Sequence, residues 1–90
     1  MNHRFEITKS GARSARKLLG KHPELKEPFE EALETLRADP FPSGYVKLTG
    51  KEAYRLTFER DYRIIYTFDK KVLVLTVVLV ADRKEVYRQL

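Results

Sequence analysis

The sequence contains no cysteine, and its 90 residues include only two histidines. Without cysteine the chain can form neither disulfide bonds nor thiolate metal sites, and it is compatible with a reducing compartment. The longest apolar run, from Val72 to Ala81, is interrupted by Thr76 and is far too short to cross a bilayer. The first five residues have none of the apolar character of a signal peptide. We therefore expect a cytoplasmic protein that does not contact a membrane.

Several familiar catalytic arrangements are also missing. His3 and His22 both lie in the N-terminal half, and neither has carboxylates beside it at the spacing of metal ligands. The nucleophile motif GxSxG, the Walker phosphate loop and the dinucleotide motif GxGxxG do not occur. A ribonuclease built on two histidines is disfavoured, because no histidine follows His22. We expect no metal and no cofactor.

The chain has the length of one domain and an uneven positive charge. We expect residues 1–90 to form a single domain. The formal net charge is +5, of which residues 1–42 contribute +1 and residues 43–90 contribute +4. A basic half suggests a polyanion or an acidic protein as the partner. An ordinary excess of solvated lysine and arginine would give the same composition.

The N-terminal half has the pattern of a strand followed by two helices. Residues 4–8 alternate between polar and apolar, which indicates a short strand, and Thr8 or Ser10 can cap a following helix that stops near Gly20. Pro28 fits the first turn of a second helix. Each helix has one apolar stripe, formed by Ala12, Ala15, Leu18 and Leu19 in the first and by Phe29, Ala32, Leu33 and Leu36 in the second. Such helices pack as an antiparallel pair.

The C-terminal half has the pattern of an antiparallel meander. Turn residues at 39–44 precede alternating strands at 54–58 and 62–68, which are separated by a glycine-free turn of unclear type. The segment 72–80 is apolar on both faces, which is typical of a central strand covered on both sides. The order of elements predicts an α+β fold, with a two-helix hairpin packed on one face of a sheet.

Basic side chains are predicted to gather on the other face of that sheet. Period-2 geometry separates Arg55 and Arg63 from the apolar residues of their strands, and Arg83 and Tyr87 return to the same side. Arginine grips phosphate with a planar bidentate fork, and several arginines would stabilise the transition state of RNA cleavage. A tyrosine can stack on a base or shuttle a proton. Alternating arginine and threonine on an open sheet face is also normal solvation.

Three stretches of the second half resemble the RelE/ParE toxin superfamily. Residues 46–50 followed by 53–56 are similar to the family pattern K-L-x-G … Y/W-R, which opens the meander. Residues 61–66 resemble the Y-R strand, and residues 80–87 resemble V-G-H-R-x-E-V-Y. The end of the predicted second helix, up to Asp39-Pro40, is similar to the family's L-x-x-(D/N)-P. Each motif is short, but the ordered set spans most of the chain.

The resemblance implies a RelE-like fold and a growth-arresting toxin of a type II toxin–antitoxin pair. Its RelE branch cleaves mRNA on the ribosome without a metal, and an antitoxin protein holds it inactive. By this resemblance, Arg63 and Arg83 bind the scissile phosphate, Tyr87 orients or deprotonates the 2′-OH or stacks on a base, and Arg55 assists. The expected contacts to the RNA backbone are Lys47, Lys51, Lys84 and Arg88. A segment of the antitoxin is expected to lie along the helices or the sheet edge and to cover or distort the arginine face.

Two departures from the family pattern keep other functions open. Thr57 stands where RelE members often have a second lysine, and Ala81-Asp82 replaces Gly-His before Arg83. Any final helix is expected to be missing or very short. The ParE branch, which inhibits DNA gyrase without catalysis, is the main alternative. A toxin-like binding module without activity and an unrelated basic α+β domain are the others.

Overall fold

The computed structural model describes residues 2–89, which form five strands, three α-helices and one 3-10 turn. In chain order the elements are β1 (Arg4–Ile7), α1 (Lys9–Lys21), the 3-10 turn Pro23–Leu25, α2 (Lys26–Ala38), β2 (Val46–Lys47), β3 (Tyr54–Phe58), β4 (Tyr62–Asp69), β5 (Val74–Asp82) and α3 (Arg83–Gln89). The strands form one sheet in the order β1-β5-β4-β3-β2. The β1–β5 pair is parallel, and the other pairs are antiparallel.

Both predicted helices of the N-terminal half are present, and their caps explain their limits. The Thr8 hydroxyl accepts a hydrogen bond from the Gly11 N–H at 2.9 Å, as expected for an N-cap. The helix α1 continues one residue past Gly20 and is capped at His22. Pro28 lies in the first turn of α2, where its missing N–H breaks no helical hydrogen bond.

The main core lies between α1, α2 and one face of the sheet. Leu18 of α1 and Phe29 and Leu36 of α2 pack against inward-facing residues of the strands. The hydroxyl of Tyr66, whose side chain is completely buried, donates a hydrogen bond to the Pro40 carbonyl at 2.7 Å. The predicted packing of a helical hairpin on one sheet face is therefore confirmed.

The last strand differs from the prediction in its bounds and in its place in the sheet. We predicted a central strand over 72–80, but β5 covers 74–82 and β4 occupies the middle of the sheet. Val78 is an extra residue opposite the Ile65/Tyr66 step of β4, which makes a β-bulge. Val77 and Val80 therefore both face the main core, while Leu79 faces the opposite side. The expectation that this strand is covered on both sides is correct.

Residues at the start of α1 close the edge of β5 where β1 ends. The N–H of Val80 donates to the Ser14 hydroxyl at 2.9 Å, and the Ser10 hydroxyl donates to the Val78 carbonyl at 3.4 Å. A Cβ on Gly11 would lie 2.6 Å from the Val77 carbonyl oxygen, so only glycine allows this close approach of α1 to β5. Beyond the end of β1, the N–H of Val80 and the carbonyl of Val78 therefore find their hydrogen-bond partners on α1.

A third helix, α3, lies on the face of the sheet that α1 and α2 leave uncovered. Val86 of α3 is 3% exposed and packs with Ile65, Leu79 and Ala81 in a second, smaller apolar cluster. The helix has seven residues, so the expectation of a very short final helix is met. The helix α3 consequently covers part of the sheet face that carries the arginines. No helix within residues 2–89 is long and apolar enough to cross a membrane.

Candidate functional site

A surface cavity of about 260 Å³ lies on the α3 side of the sheet. All four residues that the sequence suggested as catalytic, Arg55, Arg63, Arg83 and Tyr87, line this cavity together with Lys47. The apolar part of the wall consists of Val46, Leu48 and Val86, and Thr49 completes the lining. No acidic residue of the chain within 2–89 lines it. The cavity is therefore a concentrated positive site with an apolar floor, which suits an anion attached to an organic group.

Arg63 lines this cavity and is held in place by its own strand and turn. Its side chain is 8% exposed, the only charged residue among residues 2–89 that is buried. Its Nη1 donates a hydrogen bond to the Arg60 carbonyl at 3.2 Å. Burial lowers the pKa of the Arg63 guanidinium below its usual range, and the positive charges of Arg55 and Arg83 lower it further, against the opposing effects of Tyr87 and Asp61. An anion in the cavity would offset both the desolvation of the Arg63 guanidinium and its repulsion by Arg55 and Arg83.

The turn between β3 and β4 positions two of the arginines. Glu59 and Arg60 adopt left-handed backbone conformations, with φ of 47° and 67°, which cost energy in residues other than glycine. This backbone presents the Arg60 carbonyl to Arg63, and the neighbouring Asp61 carbonyl accepts the N–H of Arg83 at 2.8 Å. The strained turn thus links the arginine of β4 to the first residue of α3. Nothing in the sequence pattern indicated this role, because the turn contains no glycine.

Asp82 starts α3 and so directs Arg83 and Tyr87 to the cavity. Its carboxylate accepts a hydrogen bond from the Glu85 N–H at 2.8 Å, which is N-cap geometry. The family resemblance marked Asp82 only as a departure from Gly-His. The signal that could have revealed the helix is the capping pattern, an Asp followed three residues later by Glu. Tyr87 stands at the rim of the cavity and is 64% exposed, so its ring is available for stacking.

Arg55 and Lys47 come from the edge of the sheet opposite β1. Arg55 is paired with Val46 of β2 and is partly buried. The ammonium of Lys47 lies 3.8 Å from the Glu52 carboxylate, an exposed and therefore weak ion pair. Because β2 contains only two residues, this wall of the cavity is made mostly of loop.

The other predicted RNA contacts lie outside the cavity. Lys51 and Lys84 are exposed and do not line it, and Arg88 is 3.5 Å from Glu85 on its own helix. Thr57 is exposed on β3 and does not line it either. Lys51, Lys84 and Arg88 stay predictions, as contacts to RNA outside the cavity. Within the part of the chain that the structure describes, no three His, Asp or Glu side chains are grouped as metal ligands.

The chain is similar in structure to several solved toxins and toxin–antitoxin complexes. The chain is similar to the RelE–RelB complex of the archaeon Pyrococcus horikoshii, with 27% identity and a TM-score of 0.68 over 92% of this chain and 97% of that one. It is similar to YafQ from Escherichia coli, at 15% identity and a TM-score of 0.74 over 96% of this chain and 99% of that one. It is also similar to the toxin–antitoxin complex RelBE of E. coli, with 19% identity and a TM-score of 0.73 over 90% of this chain and 96% of that one.

Comparisons of sequence alone give no further relative. No family model matches the chain, and no curated protein matches it. The likeness is therefore carried by the arrangement of helices and strands together with the three short motifs of the second half. The chain has the fold of the RelE/ParE-like toxin superfamily, and the resemblance indicated by its sequence motifs is confirmed.

Proposed function

We propose that this chain is the toxin of a type II toxin–antitoxin pair and acts in the cytoplasm as an endoribonuclease that cleaves mRNA on the ribosome. The observation that carries the proposal is the cavity that gathers Arg55, Arg63, Arg83 and Tyr87 with no acidic residue in its wall. A cluster of fixed cations around one phosphate stabilises the extra negative charge that develops as phosphorus becomes pentavalent. The reaction requires no metal and no cofactor, because the nucleophile belongs to the RNA.

In the proposed reaction the 2′-OH of one nucleotide attacks the adjacent phosphorus. The bond between the 2′-oxygen and phosphorus forms, and the bond from phosphorus to the 5′-oxygen of the next nucleotide breaks. A water molecule takes up the proton of the 2′-OH, and a second water molecule gives a proton to the leaving 5′-oxygen, so no net proton is consumed. The products are a 2′,3′-cyclic phosphate and a 5′-OH.

Each side chain has a role that follows from its place in the cavity. Arg63 and Arg83 grip the non-bridging phosphate oxygens, and Arg63 gains most because it is buried among like charges. Tyr87, at the exposed rim, stacks on the base beside the scissile bond and orients the 2′-OH. Arg55 completes the positive wall beside Lys47. Lys51, Lys84 and Arg88 contact the RNA backbone outside the cavity.

An antitoxin protein is the proposed regulatory partner. The similar structures include toxins solved together with their antitoxins, among them the RelE–RelB complex and the DinJ–YafQ complex of E. coli. The cavity wall combines cations with Val46, Leu48 and Val86, so a partner that offers acidic and apolar side chains can fill it. Such a partner blocks RNA and relieves the repulsion among the arginines.

Controlled expression in bacterial cells tests the proposal. Primer extension on a translated transcript is compared for the wild type, Arg83→Ala and Arg4→Ala, the last removing an exposed arginine of β1 outside the cavity. We expect growth arrest and new cuts within translated codons for the wild type and Arg4→Ala, and neither for Arg83→Ala. Arrest with intact transcripts would overturn the nuclease and point to gyrase. Absence of both arrest and cuts would indicate a binding module.

A further inference from the structure

The helix α1 carries a basic face that the cavity does not use. Its 13 residues include five lysines and arginines and no acidic residue, and all five are exposed: Lys9, Arg13, Arg16, Lys17 and Lys21. Among the ion pairs found within residues 2–89, none involves any of these five side chains. The five therefore form a strongly charged and unpaired surface, opposite the side of α1 that buries Ala15 and Leu18.

Four of these bases recur at every fourth residue. Lys9, Arg13, Lys17 and Lys21 follow one slanted line along the helix, with a rise of about 6 Å and a rotation of about 40° about the axis at each step. We call this line the α1 stripe. It contains no apolar or aromatic side chain. Regularly repeated long cationic side chains match a partner whose negative charges also recur at regular intervals, such as the phosphates of a nucleic-acid strand.

This arrangement of charge does not serve the stability of the helix. Like charges four residues apart repel each other, and Lys9 lies in the first turn, where the helix dipole disfavours a cation. In the neighbouring α2, by contrast, Glu27 lies in the first turn and Arg37 pairs with Glu34 at 3.2 Å. On α1 no acidic residue offsets the repulsion among the cations, which indicates a surface for binding.

We propose that the α1 stripe is a second RNA-binding surface, which holds phosphates of the RNA backbone and takes no part in cleavage. This inference goes beyond the proposed function and does not rest on it. An acidic protein segment is the less favourable partner, since stable protein interfaces use apolar or aromatic anchors and the stripe offers none. Binding to a phosphate backbone needs charge alone.

The stripe is close enough to the cavity for one RNA strand to reach both. Lys17 and Lys21 line a small cavity of about 130 Å³ together with Glu85 and Gln89 of α3. The same short helix presents Arg83 and Tyr87 to the larger cavity on its other side. RNA that leaves the larger cavity across α3 therefore arrives at the C-terminal end of α1. The stripe contributes affinity without base specificity, because it meets the backbone only.

The test measures binding of a mixed-sequence 2′-O-methyl RNA, which has no free 2′-OH and cannot be cleaved. Affinity is measured by fluorescence anisotropy over a range of salt for the wild type and for a variant with Lys9, Arg13, Lys17 and Lys21 all changed to Gln. We expect the affinity at about 0.1 M salt to fall on the order of a hundredfold, and the slope of log K against log salt to become less negative by about 3. The melting temperature should stay equal or rise, since repulsion within α1 is removed.

The matched control removes four exposed bases elsewhere, with Arg4, Lys26, Lys70 and Lys71 changed to Gln. It has the same net charge as the α1 variant, and we expect its affinity and salt slope to stay close to those of the wild type. Equal losses in the two variants would reduce the effect to net charge and overturn the inference. Unchanged RNA binding by the α1 variant would also overturn it, and loss of binding to an acidic polypeptide instead would assign the stripe to a protein partner. Because the RNA is uncleavable, these outcomes do not depend on whether the cavity is a nuclease.

Discussion

On the sheet face covered by α1 and α2, β3 and β4 contribute Tyr54, Leu56, Ile64 and Tyr66, which are nearly or completely buried. On the opposite face the same two strands contribute Arg55 and Arg63. The first face is closed by apolar packing, and its buried hydroxyl is satisfied. The second face holds a buried cation beside two others.

The difference separates the face that stabilises the protein from the face that we propose for RNA binding. Alternation along a strand lets one sheet serve both purposes, because successive side chains point to opposite sides. Repulsion among the arginines and strain in the Glu59–Arg60 turn lower the stability of the second face. The core on the first face must offset these costs. Substitutions on the two faces should therefore separate activity from stability.

The largest separation between an effect on cleavage and an effect on stability is expected for Arg63→Ala. Cleavage of a model mRNA should fall about a hundred- to a thousandfold, as for removal of one group that stabilises a transition-state charge. The free energy of unfolding should change little, since relief of repulsion offsets the lost packing of the side-chain stem. Single-turnover cleavage and urea unfolding measure the two quantities.

Two further variants sharpen this test. Arg63→Lys keeps the charge without the planar fork and should recover only part of the rate. Thr57→Ala, exposed on β3 and outside the cavity, should cleave like the wild type. If the loss of cleavage in Arg63→Ala merely follows a loss of folded protein, Arg63 is a structural residue and the comparison of the two faces fails.

The opposite result is expected for Leu36→Ala on the first face. Leu36 is completely buried, and truncation of such a residue lowers the free energy of unfolding by about 3 kcal/mol. Cleavage per folded molecule should be unchanged. Urea unfolding, combined with activity corrected for the folded fraction, checks both statements. A cleavage defect in fully folded protein would show that packing on the first face affects the arginines on the second.

Tyr66→Phe should have a smaller effect that depends on pH. At neutral pH the variant leaves the buried Pro40 carbonyl without its donor, which lowers stability by about 1–2 kcal/mol. Burial raises the pKa of the Tyr66 hydroxyl well above its usual range, and Tyr45 and Tyr54 add to this. Above about pH 10 the unfolded chain therefore loses this proton first, and stability falls as pH rises. Unfolding between pH 8 and pH 12, in steps of about one unit, should give a shallower fall for the variant. Parallel curves would contradict this explanation.

The smallest effect is expected for Arg60→Gly in the strained turn. Glycine adopts the positive φ of this position without a steric penalty, so stability should rise by less than about 1 kcal/mol. The backbone carbonyl that holds Arg63 is retained, so cleavage should stay near the wild-type rate. Thermal unfolding and the same cleavage assay measure the change. A large loss of cleavage would show that the Arg60 side chain itself acts on the RNA.

The sequence was most informative where periodicity is local. Alternation in β3 and β4 separates the arginines from the core residues, and the structure places them as predicted. The apolar stripes of α1 and α2 and the Thr8 cap follow from spacing and capping chemistry in the same way. Alternation accounts for Arg55 and Arg63 in the cavity, whereas Arg83 and Tyr87 reach it from the helix α3 and not by the strand geometry that we used to predict their side.

Features that depend on contacts between distant segments could not be predicted in this way. The bulge at Val78 depends on the register between β4 and β5, and a uniformly apolar run carries no mark of it. The parallel pairing of β1 with β5 joins opposite ends of the chain. The burial of Arg63 is likewise not marked in the sequence, because alternation alone assigns this arginine to an exposed sheet face. The positions of Lys51, Lys84 and Arg88 outside the cavity depend on loop and helix orientation that charge alone does not specify.

The pairing of the first strand with the last governs when the site can exist during synthesis. Thr8 and its acceptor Val77 are 69 residues apart in sequence, and among residues 2–89 no strand other than β5 pairs with β1. Contacts of such long range form late in folding. Because the ribosome makes the N-terminus first, β1 and α1 have no strand to pair with until β5 has been made. Arg83 and Tyr87 emerge after β5 and complete the cavity last. The cavity therefore cannot be finished before α3 has been made, and a nascent chain that still lacks this helix lacks two of the four side chains of the site.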